Sequence, residues 1–126
     1  MIELIDGLPD GVVGIEAVGE VTSDDYETVA MPALERALAT HDTIRLIHVL
    51  GERLTRHTAG ALWDDTRLGL AHARKFERIA VVTDLERFRA PLKAGLWAVP
   101  GEIRLFSNAE RADAEAWISE DLQHQF

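Results

Sequence analysis

The chain has no cysteine among its 126 residues, which excludes disulfides, thiolate metal sites and cysteine nucleophiles together. Aromatic residues are sparse at 6%. No run of about 18 apolar residues exists to span a bilayer. The opening Met1-Ile2-Glu3-Leu4-Ile5-Asp6 lacks the basic start and long apolar run of a secretory signal, so the expectation is a cytoplasmic protein, at most peripheral to the inner face of the membrane. His41, His48, His57, His72 and His124 include no pair spaced at i and i+4 and no His-Glu-x-x-His motif, and no metal site is expected. Gly-x-Gly-x-x-Gly, P-loop and Gly-x-Ser-x-Gly patterns are missing as well, which withdraws the usual support for nucleotide binding and α/β-hydrolase chemistry. No cofactor and no enzymatic activity are expected.

Basic charge is scarce too. Lysine and arginine number 13 against 22 acidic residues, a net charge of −9, and that balance disfavours phosphate backbones and anionic membranes over the surface as a whole. The exception is 74–93, where Arg74, Lys75, Arg78, Arg87, Arg89 and Lys93 stand against Glu77, Asp84 and Glu86, a local +3 that leaves −12 for the rest. Only Arg87, Arg89 and Lys93 cluster with aromatics, too few to grip a nucleic acid, and none is expected as a partner.

What is present is an ordinary globular composition, 47% hydrophobic and 28% charged, in a length that suits one domain over 1–126 and buries roughly two thirds of its unfolded surface. The clearest element is the stretch Phe76 to Asp84. Its run Ile79 to Val82 is apolar throughout and too short for a helix, so it reads as a strand covered on both faces in the middle of a sheet. Ile2 to Ile5 and Val12 to Val18 read as an antiparallel pair around the turn Asp6 to Gly11. A helix follows from Ser23 or Thr22, with Pro32 near its start if the true first turn lies later. Ile44 to Leu50 reads as a strand and Leu50 to His57 as a polar loop. The spacing then predicts helices over Ala59 to Phe76 and Leu85 to Val99, a strand over Ile103 to Phe106, and a last helix from Ala109 with Ala112, Ala116 and Trp117 inward. The class is α/β, in the order ββαβαβαβα, with a mixed, mainly parallel sheet and helices mainly on one face. Arg45 and Arg104 on strands imply that the other face is partly wet.

Val18-Gly19-Glu20-Val21-Thr22 with Asp24-Asp25-Tyr26 and Pro32-Ala33-Leu34, the stretch Phe76 to Asp84, Glu102 to Phe106 and Ala114 to Ile118 together resemble the SpoIIAA-like family of STAS and Sec14-type bacterial domains, over nearly the whole chain. The resemblance implies a STAS-like βα superhelix and a protein that binds apolar ligands or membrane surfaces. Related sporulation antagonists of anti-sigma factors carry Asp-Ser-Ser-Gly at the start of the second major helix, the first Ser accepting phosphate. This chain has His57-Thr58-Ala59-Gly60 there, so Thr58 keeps a hydroxyl while His57 and Ala59 depart from the pattern. Thr58 equally suits a plain N-cap.

The residues single out one further stretch. Leu85 to Val99 combines an apolar stripe with Arg87, Arg89 and Lys93, a pattern that suits either a core helix or one lying on an anionic surface or an apolar cavity. The expected ligand site is an apolar pocket lined by Leu62, Trp63, Phe88, Leu92, Leu96 and Trp97 between the two middle helices. It would take an apolar or amphipathic small molecule, with Arg87, Arg89 and Lys93 on an anionic head group or a peripheral membrane surface. A homodimer contact near Trp97 is a further expectation. The alternative function is a protein-interaction switch, with Thr58 phosphorylated by a partner kinase.

Overall fold

The structure, a computed structural model, describes residues 1–61, 73–95 and 102–122. Five strands form the main sheet: β1 (Ile2–Leu4), β2 (Val12–Ala17), β4 (Ile44–Val49), β6 (Phe76–Val82) and β7 (Glu102–Phe106), side by side in that order. β1 runs antiparallel to β2, and the other pairs are parallel. Between them α1 comprises the continuous helical segments Ser23–Asp25, Tyr26–Ala30 and Met31–Leu38; α2 is Glu86–Gly95 and α3 is Arg111–Ile118. The loop between β1 and β2 folds back onto Gly14, where a Cβ would lie 2.8 Å from that of Ile5, so only glycine lets it close.

From β2 to β4 to β6 to β7 each parallel connection steps the same way across the sheet. Right-handed crossovers must then put every connecting helix on one face. The packing agrees: Ala30 and Leu34 of α1, Ala61 of the helical turn at 59–61 and Phe88 of α2 share a cluster with Ile15, Leu46 and Val81. Ala80 and Val82 of β6 face the opposite side, so this strand is buried on both faces, as its unbroken apolar run requires.

That opposite face is wet only at its β7 edge, where Glu102 and Arg104 are exposed; its centre is covered. α3 lays Ala114, Trp117 and Ile118 over Ile47, Val49, Ala80 and Val82. Arg45, only 7% exposed, donates to the Ile118 and Glu120 carbonyls at 3.1 and 2.6 Å, and its strand neighbour Arg78 donates to the Trp117 carbonyl at 2.9 Å. Both cations therefore satisfy orphan carbonyls at the negative end of a helix. The Trp117 ring is approached by both Arg78 and Arg104, whose guanidinium carbons are 5.1 and 4.7 Å from its centre. Of the two strand arginines expected to mark solvent, Arg104 is exposed, whereas Arg45 is buried and forms, with Arg78, the seat of the last helix. Its inward stripe is correspondingly Ala114, Trp117 and Ile118, while Ala112 and Ala116 are exposed; the two stripes share Trp117, and Ile118 decides between them.

Two short strands depart from the expected order. β3 (Gly19–Val21) and β5 (Leu54–His57) pair in parallel as a separate two-stranded sheet, where a lead-in and a polar loop were expected. Such short segments are stabilised by closure with each other rather than by a pattern of their own. α1 also begins at Ser23, earlier than Pro32 suggested. Its middle, Tyr26–Ala30, is a π turn in which Met31 N–H donates to the Tyr26 carbonyl, so the wider ladder precedes Pro32 and the missing donor falls where the regular α repeat restarts.

Candidate functional site

Beyond Val21 and His57, at the ends of β3 and β5, the starts of two helices meet. The Thr58 N–H donates to the Val21 carbonyl at 3.0 Å, and the Thr58 hydroxyl accepts the Ala61 N–H at 3.1 Å, the N-cap geometry its position suggested. A Cβ on Gly60 would lie 3.4 Å from that of Ser23, so the turn at 59–61 sits directly against the start of α1. There the Asp25 carboxylate accepts from the Thr22 N–H and hydroxyl at 2.8 and 3.1 Å, with the Met1 ammonium 3.3 Å away. Burial pushes the Asp25 carboxyl up, but the Thr22 bonds and the ammonium outweigh it and hold the group below its ordinary range.

Behind this junction lies a cluster that no sequence spacing announces. Tyr26, fully buried, shares a hydrogen bond with His57 Nε2 at 3.0 Å. Its ring meets those of His48 and His57 edge-on at 6.3 and 5.8 Å, and His57 in turn meets Phe88 at 5.2 Å. A chain of rings thus connects the π turn of α1 through the residue before Thr58 to α2. The sequence signal for this cluster is that the one tyrosine in the chain stands in the first turn of a helix, while His57 reads as loop.

α2 sorts its residues sharply. Phe88 is buried and Leu92 packs against the same core, whereas Arg87 and Lys93 are exposed. Arg87 lies over the Phe88 ring, 5.1 Å from its centre. Arg89 has a different position: it donates to the Thr83 and Phe106 carbonyls at 2.8 and 3.1 Å, tying the ends of β6 and β7 together. Of the six residues expected to line a pocket, Phe88 and Leu92 are therefore brought to one core beside His57, while Leu62, Trp63, Leu96 and Trp97 lie outside the described residues. So does the expected dimer contact near Trp97.

A cavity of about 120 Å³ lies at the N-terminal ends of β2, β4 and β6, lined by Asp10, His41, Arg45, Glu77 and their neighbours. Its guanidinium is already engaged by Glu77 at 2.6 Å and by the end of α3. Among the described residues no group of three or more His, Asp or Glu side chains is placed to hold a metal ion, and no helix is long and apolar enough to cross a membrane.

The profile of the SpoIIAA-like family matches residues 12–119. Among solved structures, the chain is similar to an uncharacterized protein of the DUF3478 family with a SpoIIAA-like fold from Shewanella loihica PV-4. The two are 32% identical, with a TM-score of 0.71, over 94% of this chain and 92% of that one. No curated protein matches.

Proposed function

The chain belongs to the SpoIIAA-like family, and from that membership we propose that it is a non-enzymatic binding module whose middle helices take an apolar or amphipathic molecule and its anionic head group at a membrane surface. The observation that carries this reading is the division of α2, with Phe88 and Leu92 turned to the core and Arg87 and Lys93 outward. An acyl chain entering beside Phe88 and Leu92, with Leu62, Trp63, Leu96 and Trp97 as the remaining wall, would gain roughly 0.8 kcal/mol per buried CH₂. The two outward cations would hold the head group. In flotation with phosphatidylglycerol vesicles, the wild-type chain is expected to bind at low salt and release as salt rises, and Arg87→Glu with Lys93→Glu is expected to abolish binding. Flotation unchanged by the double reversal, or absent at low salt, would contradict the membrane part of the reading.

A second reading is favoured by one feature, the placing of half-buried Thr58 where two helix starts meet. A phosphate on its hydroxyl would sit at the positive end of the helical turn that it now caps, and would change any surface docked there. A phosphorylated Thr58 peptide from expressing cells supports this switch. Its absence, with Thr58→Ala keeping every captured partner, counts against it.

A further inference from the structure

Among the described residues β7 pairs with β6 alone, and no described strand covers its other edge. One bond fixes what that edge offers. The Thr83 N–H donates to the Phe106 carbonyl at 2.9 Å, so Phe106 turns its peptide groups toward β6, and by the alternation of a strand Arg104 and Glu102 do likewise. Ile103 and Leu105 therefore send N–H and C=O outward. Side chains alternate in the same rhythm: Glu102 and Arg104 are exposed on the α3 face, and Ile103 and Leu105 are partly buried on the other.

A second β7, related by a two-fold axis, can pair antiparallel only where outward residues meet outward residues. Pairing Ile103 with its own copy meets that condition. It also sets Glu102 opposite Arg104 of the other chain, twice, in the non-hydrogen-bonded positions where side chains approach most closely. Registers centred on Glu102 or Arg104 oppose like charges, and one centred on Leu105 leaves Arg104 facing Phe106. Within one chain the two ions are only loosely associated, 4.0 Å apart and more than half exposed, so little is lost by exchanging them. Charges on an edge strand ordinarily discourage pairing; here their order admits one partner.

We propose that β7 is a self-complementary docking edge through which a second copy of this chain extends the sheet antiparallel about Ile103, with reciprocal Glu102–Arg104 pairs.

The test is sedimentation velocity of the full chain over a concentration series, with circular dichroism to confirm folding of each variant. A monomer–dimer equilibrium is expected. Arg104→Glu should weaken it roughly tenfold or more by replacing two attractive pairs with repulsive ones. Glu102→Arg combined with Arg104→Glu should restore it by rebuilding both pairs with signs reversed. Ile103→Pro removes an outward N–H while sparing the ladder to β6, and should give a folded monomer. Because the chain has no cysteine, Ile103→Cys reads the register directly: its copies should cross-link on mild oxidation, and those of Leu105→Cys should not. A monomer at all concentrations, a dimer indifferent to Arg104→Glu, or efficient cross-linking through Leu105→Cys would each overturn the proposal.

Discussion

Arg87, Arg89 and Lys93 stand on one helix, yet their surroundings assign them different roles. Arg89 spends its donors on the Thr83 and Phe106 carbonyls, so Arg89→Ala should cost about 1.5–3 kcal/mol of stability in denaturant titration while leaving vesicle binding nearly intact. The Arg87 and Lys93 reversals should show the opposite pattern. Asp25 offers a pH reading at the same scale. Its folded pKa is depressed, so its stabilising contribution is present above the ordinary carboxylate pKa and is lost as pH falls through the depressed value. Asp25→Asn should therefore destabilise the chain at neutral pH, by about 1 kcal/mol for a capping residue, with the difference from wild type shrinking in acid. The composition of these sites was legible in the sequence: Thr58 as a cap and the basic character of α2 both follow from residue type and spacing. The inward turn of Arg89 was not, because its acceptors are strand ends that only the folded sheet brings to it.

Among the elements, α3 is the most dependent on distant residues. Its apolar anchor is Trp117 with Ala114 and Ile118, and its C-terminal carbonyls are held by Arg45 and Arg78 from two adjacent strands. Arg45→Met removes the charged donor while keeping much of the stem. It should lower stability by about 2–3 kcal/mol and raise hydrogen exchange in α3 more than in α1. A uniform rise across both helices would contradict the idea that Arg45 acts as a seat for α3. The strands of the main sheet and the described helices were readable because each buries a face with its own period; of the helix expected over Ala59 to Phe76, 62–72 lie outside the described residues and Phe76 belongs to β6. β3 and β5 were not, since neither carries enough alternation to announce itself. Nor was the π turn, which reconciles Tyr26 packing with Pro32 and has no periodic signature.

At the scale of the whole molecule, one rule accounts for most of the architecture. Four strands step across the sheet in a single direction, right-handed connections gather their helices on one face, and the last helix is left to close the other. The order of apolar runs made that class legible, but covering of the second face depended on arginines whose partners are backbone carbonyls far along the chain, which spacing does not reveal. The result is a domain with α2 beside the Tyr26–His57 cluster, and the function proposed rests on an apolar or amphipathic molecule entering there. Native mass spectrometry of the purified chain during titration with palmitate tests this most directly. The account predicts saturation at one palmitate per chain, weakened severalfold by Arg87→Glu with Lys93→Glu; a bare mass throughout the titration would contradict it.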